Sequence, residues 1–258
     1  VLALDRPDEA ETVWKVRRMR RFDGFISVAL DRRDLITHLL RLKRGPVVLA
    51  EHYIRDLPIT GVVDGSFEGM RAVTKHLLAL GHRRVAYIDC FNRDAVNPEK
   101  FAGYAAALSE KGVDLDEDLV FEQPALGDPR GHAAAAVRGF LKLKDPPTAI
   151  AAFDDGRALG AAEELEKHGL RVGEQFSVAG FGDGAIRSGG CDWLTSCRIY
   201  TRKMGQQAIR AALERRSASE GKTIIIPDRL FIRKSTAPPP DARPHGDLPP
   251  ELRRTSHY

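Results

Sequence analysis

His76-Leu77-Leu78-Ala79-Leu80-Gly81-His82-Arg83-Arg84-Val85-Ala86-Tyr87-Ile88 reads as a helix end, a glycine stop and a buried strand in quick succession. Leu77, Leu78 and Leu80 supply the apolar face of a helix. Gly81 suits the left-handed residue just past a helix C-terminus. Val85, Ala86, Tyr87 and Ile88 form a short unbroken apolar run, the pattern of a strand covered on both faces in a parallel sheet.

The alternation continues outward from this stretch. Helical spacing occurs over 8–20, 35–42, 67–80, 98–111, 131–143, 156–168 and 201–215. Strand-like runs occupy 1–4, 22–28, 46–50, 59–63, 119–121, 148–153, 176–181, 223–226 and 230–232. Strands separated by helices of ten or more residues imply an α/β fold with parallel sheets flanked by helices. There are too many such units for one sheet at this length, which predicts two lobes. Ligands of such sheets bind beyond the carboxyl ends of the strands. Asp64, Asp89, Asp154, Asp155 and the 181–183 turn fall at those ends. Residues 237–258 are rich in proline and lack periodicity, so a disordered tail is expected there.

Composition sets outer limits. With 258 residues, 43% hydrophobic and 29% charged, the chain has enough apolar material for one or two cores. A formal net charge of +4 does not by itself demand a nucleic-acid partner. Basic residues do crowd the stretch from Trp14 to Arg44, where they outnumber Asp23, Asp31 and Asp34. Two solvated helix faces account for that crowding, and proximity to DNA phosphates is the alternative. No apolar run approaches the ~18 residues of a membrane helix. Cys90, Cys191 and Cys197 are odd in number and lack metal-ligand spacing, which points to reduced thiols in the cytoplasm. His38, His52, His76 and His168 are scattered and read as solvated. No nucleophile–base pairing suggests an enzyme, and nothing calls for a cofactor or metal. Gly180-Phe181-Gly182-Asp183-Gly184 lacks the lysine of a phosphate loop and the full dinucleotide spacing, and is read as a cleft loop.

The opening stretch also resembles the "HLLxLGHRRIA" signature of the lactose-repressor (LacI/GalR) family of bacterial transcription regulators. Further pieces agree in order. Phe22-Asp23-Gly24-Phe25-Ile26 resembles "vDGiI". Thr148-Ala149-Ile150 with Asp154-Asp155 and Ala158-Leu159-Gly160-Ala161 resembles "pTAi.a.nD..AlGa". Phe176-Ser177-Val178-Ala179-Gly180-Phe181 resembles "disvvGfD". Leu194-Thr195-Ser196, and Ile226-Pro227 with Arg233 and Ser235-Thr236, resemble the closing motifs. The resemblance implies a two-lobed, periplasmic-binding-protein-like (type I) fold with three crossovers. It places 1–81 and 201–221 in an incomplete N-terminal lobe, and 82–200 with 222–236 in the other. It implies a small polar effector, possibly a sugar, held between the lobes. It further implies a homodimer, no membrane, and operator DNA contacted only through a helix-turn-helix headpiece that this stretch does not contain. The alternative is a sugar-binding protein of an uptake system, which shares the fold.

By the same resemblance, Asp155 holds ligand donors from the distal lobe. Its competing role is capping a helix N-terminus, a role that falls more naturally to Asp154. Asp64 stands at a family cleft position and competes with capping of the helix over 67–80. Lys100 stands where relatives carry an arginine, and it offers a point charge without the planar fork. Leu126 replaces a stacking aromatic, and Ile199 a residue that is often polar. Gly182 replaces the first aspartate of "GfDd", leaving Asp183. Two carboxylates and one ammonium favour hydroxyl or amine donors on the ligand. An anionic ligand would need Arg198 or Arg187 to turn inward. His82 and Arg83–Arg84 are expected to fix the lobe junction.

Overall fold

The computed structural model describes residues 24–28, 33–41, 45–54, 56–90, 98–122, 128–184, 191–214 and 221–240. In chain order these form β1 (Phe25–Val28), α1 (Arg33–Arg41), β2 (Val47–Ala50), β3 (Thr60–Asp64), α2 (Ser66–Ala79), β4 (Val85–Ile88) and α3 (Pro98–Glu110). Then come β5 (Val120–Phe121), α4 (Pro129–Phe140), β6 (Ala149–Ala152), α5 (Asp155–Lys167), β7 (Ser177–Gly182), β8 (Thr195–Arg198), α6 (Thr201–Leu213), β9 (Thr223–Ile226) and β10 (Arg229–Phe231). The elements segregate into two compact units, Val1–Asp64 with Tyr200–Ile226 and Gly65–Ile199 with Pro227–Tyr258. The chain therefore passes between units three times.

The second unit is a three-layer sandwich. Its sheet runs β10-β8-β7-β6-β4-β5, parallel throughout except for β10 against β8. Successive residues of a strand point to opposite faces. Ala86, Ile88, Ile150 and Val178 accordingly join α4 and α5 through Ala133, Val137, Phe140, Ala161 and Leu165. Val85, Tyr87, Ala151 and Phe181 join α2 and α3 through Met70, Leu77, Tyr104 and Leu108 on the other face. Both helix pairs approach through a glycine. A Cβ on Gly103 would lie 2.2 Å from the Phe67 carbonyl oxygen, and one on Gly160 would lie 2.6 Å from Arg130 Cα.

The first unit is smaller. Its sheet runs β1-β2-β3-β9, all parallel, with Val48 opposite Thr60 and Val63 opposite Ile225. Ile36 and Leu39 of α1 pack on Val47, Leu49 and Ile59. Met204, Ala208 and Ala211 are the buried positions of α6. Both edge strands carry exposed apolar side chains: Ile26 at 40%, Val28 at 59% and Ile225 at 60% of full exposure.

Several expectations need correction. The helix over 67–80 belongs to the second unit, because Met70, Val73 and Leu77 are committed to the core shared with Tyr87 and Tyr104. Strand 223–226 belongs to the first unit, where it bonds to β3. The tail does not begin at 237. The Ala237 N–H donates to Ser177 Oγ (3.0 Å), and its carbonyl accepts from Ser177 Oγ and the His82 ring (2.9 Å each). His82 is buried inside the second unit, bonded also to Thr148 Oγ1 at 2.8 Å, so it fixes that unit's interior. The Ala237 carbonyl can only accept, so Nε2 carries a proton. His52 is buried and His76 bonds Thr236 Oγ1 at 2.9 Å, so neither is solvated. Segments 1–4, 8–20 and 241–258, the residues Leu126 and Arg187, and the His38 side chain lie outside the described residues.

Candidate functional site

The carboxyl edge of the second unit's sheet collects most of the polar residues singled out above. β6 ends and α5 begins at Asp154-Asp155. Asp154 is the N-cap, accepting from Arg157 N at 2.8 Å through Oδ1 and pairing with the Arg157 guanidinium through Oδ2. Asp155 is free of that duty, and its carboxylate turns to the neighbouring strands. Ser196 Oγ donates to Oδ1 at 2.6 Å, and the Gly184 N–H donates to Oδ2 at 2.8 Å. Asp155 thus ties α5 to β8 and to the turn after β7. The tightness of the arrangement explains Gly180, where a Cβ would sit 2.5 Å from Asp155 Oδ1.

β7 ends at Gly182 and Asp183. Asp183 has a positive φ of 54° and no exposed surface. Arg198 Nε reaches its Oδ2 at 2.5 Å, and Arg233 Nη2 its Oδ1 at 2.9 Å. Its own N–H donates to Ser196 Oγ at 3.1 Å. A buried carboxylate needs such a shell, because an unpaired charge away from water is costly. Arg198 also lies over the Phe231 ring at 4.0 Å, with Arg229 at 5.3 Å and Arg233 at 5.5 Å. Ile199, half-buried, packs against the Tyr87–Phe181 core.

Lys100, near the start of α3, is 5% exposed. Its ammonium donates to the Phe153 carbonyl at 3.2 Å and sits 4.0 and 4.1 Å from the Phe153 and Phe181 ring centres. Cation–π contact and one carbonyl replace part of its lost hydration. Asp89, just past β4, accepts from Cys90 N at 2.7 Å and Tyr87 OH at 3.3 Å. Burial pushes the Asp89 carboxyl above the ordinary carboxylate range, against these hydrogen bonds and the nearby Lys100 charge. Burial likewise raises the Tyr87 phenol and the Cys90 thiol, so Cys90 is not an activated nucleophile.

Asp155, Lys100, Asp183, Arg198 and Ile199 therefore share one unit and one edge of its sheet. Asp64 ends β3 in the first unit, opposite Ile226. The capping duty weighed for Asp64 falls to Gly65, with no side-chain hydrogen bond at that cap. Leu126 lies outside the described residues. Phe231, Arg229 and Ser196 were missed as site residues. A signal for two of them was present: Arg229, Phe231 and Arg233 alternate with a period of two, which puts them on one face of an extended segment.

Residues 74–236 match the family model of the periplasmic binding protein-like domain. Together with the motifs and the sheet order, that match decides the matter. The chain belongs to the LacI/GalR family. It is 28% identical over 235 residues to the HTH-type transcriptional repressor PurR of Mannheimia succiniciproducens, covering 89% of this chain and 69% of that protein. To PurR of Aliivibrio salmonicida it is 30% identical over 199 residues, covering 76% of this chain and 58% of that protein. The solved transcriptional regulator CelR–cellobiose complex superposes with a TM-score of 0.76 at 25% identity, covering 88% of this chain and 69% of that one. These LacI/GalR relatives are transcription regulators, which does not favour the uptake-protein alternative. Among the described residues no helix is long and apolar enough to cross a membrane, and no three His, Cys, Asp or Glu side chains are grouped as metal ligands.

Proposed function

We propose that this LacI/GalR effector-binding domain senses a small polar molecule and thereby controls transcription, as a repressor, in the cytoplasm. Asp155, Lys100, Asp183, Arg198 and Ile199 of the second unit, with Asp64 of the first and Leu126, are the candidate ligand residues. The observation that carries the reading is the ordered family match over 74–236, joined to the gathering of those second-unit residues at the carboxyl edge of one sheet, where α/β folds present ligands. The cellobiose in the CelR complex supports a carbohydrate as one candidate class. A homodimer fits regulators that read paired operator half-sites.

Thermal unfolding against a panel of neutral sugars, sugar phosphates, nucleobases and carboxylic acids tests the sensing role. A saturable rise in Tm with at least one compound is expected. Transcript profiling of a strain lacking the gene tests the regulatory role, with derepression of a small gene set as the expected outcome. Failure of every compound to bind, together with an unchanged transcript profile, sinks the proposal. Sedimentation equilibrium tests the dimer.

A further inference from the structure

The sequence led us to expect two carboxylates and one ammonium turned toward a ligand, and the charges at this edge are arranged otherwise. The carboxylates there are engaged within the fold: Asp155 with Ser196 and Gly184, Asp154 with Arg157, Asp183 with Arg198 and Arg233. Of the three guanidiniums at the end of the sheet, Arg198 and Arg233 share the single carboxylate of Asp183 and Arg229 does not reach it. Arg198 of β8 and Arg229 of β10 are register partners in an antiparallel pair, so they stand directly opposite on the same face. Like charges so placed repel. Phe231, register partner of Ser196, offers its ring to both, and Arg233 comes to the same ring. Both oxygens of Asp183 are taken by Arg198 and Arg233. Among the described residues Arg229, which is exposed, makes no ion pair. On its other side Arg198 faces Gly182 of β7, its register partner there. A Cβ at Gly182 would be in van der Waals contact with Asp155 Oδ2 at 3.8 Å and Gly184 N at 4.0 Å, so the Asp155 carboxylate borders that side.

We propose that Arg198 and Arg229, braced on Phe231, form an anion-recognition site, and that the effector of this chain bears a phosphate or carboxylate group. Two planar forks on adjacent strands match the oxygens of such a group, and its charge offsets that of Arg229, which the Asp183 carboxylate does not reach. The aromatic ring holds both guanidiniums beforehand, so little side-chain entropy is lost on binding. The inference rests on the proposed sensing role and specifies the ligand's chemistry.

The test uses the whole chain at constant ionic strength, comparing inorganic phosphate and citrate with chloride in thermal unfolding and calorimetric titration. Phosphate or citrate is expected to raise Tm saturably, and the better of the two tells a phosphoryl from a carboxylate ligand. Arg229→Gln, at an exposed position, is expected to weaken that anion about tenfold or more, the loss of a charge-assisted pair. Without anion the same variant is expected to be at least as stable as the parent, since it removes a like-charge neighbour. Arg229→Lys, which keeps the charge but not the fork, is expected to fall between the two. Absence of any anion effect in the parent overturns the proposal, as does Arg229→Gln binding phosphate like the parent. Saturable stabilisation by neutral sugars alone overturns it too, while leaving the sensing role intact. If Arg229→Gln instead loses only affinity for random-sequence duplex DNA, the patch is a nucleic-acid contact and the small-anion assignment is wrong.

Discussion

The two sheets of this molecule follow the same parallel pattern, yet they meet its requirement differently. In the second unit every residue of β6 is fully buried, with helices on both faces. In the first, β1 and β9 leave Ile26, Val28 and Ile225 exposed, and buried polar atoms lack partners. His52 donates from Nδ1 to the Ala50 carbonyl at 3.1 Å, leaving Nε2 without a hydrogen bond, and Ser27 Oγ has none. Such atoms occur in the second unit too, among them Gln175 Nε2, His132 Nδ1 and Asp183 Oδ1, the last in an ion pair with Arg233, so the contrast lies in the covered strand faces and not in polar satisfaction. A parallel sheet is stable when both faces are covered, so the difference predicts different local stability. Hydrogen exchange should show β4, β6 and β7 opening near the global free energy and β1 well below it. Equal protection in both sheets would remove the distinction.

The largest mutational effect is expected where backbone meets backbone. Gly103→Ala places a methyl carbon 2.2 Å from the Phe67 carbonyl oxygen and 3.0 Å from Arg71 N. Neither atom belongs to a flexible side chain, so α2 and α3 must separate. We expect a loss of about 3 kcal/mol or more, read from urea denaturation. A variant that unfolds at the parent's midpoint would show that the two helices are not locked. Ser196→Ala follows. It strips Asp155 Oδ1 of its 2.6 Å bond and Asp183 N of its acceptor. Leaving a buried carboxylate short of a donor costs roughly 1–3 kcal/mol. Cysteine at the same position should not restore the loss, since a thiol is a weak donor.

Two titrating groups give effects of opposite sign. Burial holds the His76 imidazole below its ordinary value near 6.5. Between its folded value and 6.5 the unfolded chain therefore binds more protons, and stability rises with pH across that window. His76→Gln should flatten the dependence of Tm on pH there. The Asp89 carboxyl is raised instead, its folded state binding more protons above 3.8. Stability contributed by this group thus falls as pH rises through that window. Asp89→Asn, which keeps an acceptor for Cys90 N, should raise Tm at pH 7 and lose that advantage at acid pH. A Tm gain that persists unchanged below pH 3.8 would point to packing rather than charge.

Much of the second unit was legible because its signals are local. Val85–Ile88 and Ala149–Ala152 are continuous apolar strands, and Gly81 stops α2 with a φ of +101°. Asp154 as a cap was readable for the same reason. Unit membership was not, since periodicity shows that 66–79 is a helix but not which sheet it covers. The partners of Asp155 were hidden as well. Ser196 lies 41 residues away in sequence, and a carboxylate beside a helix start looks the same whether it awaits a ligand or holds a strand. The arginine pair on Phe231 depends on the register of β10 against β8, which no spacing within either segment fixes.

The smallest effect is expected at the outer strand of the first unit. Ile225 lies in the middle of β9, opposite Val63, and is 60% exposed. Threonine keeps the branched Cβ that suits a strand and gives up mainly solvent-facing methyl surface. Ile225→Thr should therefore change stability by no more than about 0.5 kcal/mol. Ile150→Thr, at a position with no exposed surface in β6, should cost well over 1 kcal/mol, because a hydroxyl enters a dry core without an assigned partner. The pair of variants measures the same chemical change in a covered and an uncovered strand. Comparable losses in dilute protein would mean that Ile225 is shielded in solution. Sedimentation then separates two causes. If Ile225→Thr shifts the chain toward monomer, a second copy covers β9. If the parent is already monomeric and the loss persists, the exposed edge of the first sheet is not the weak side of the molecule, and the contrast between the two sheets fails.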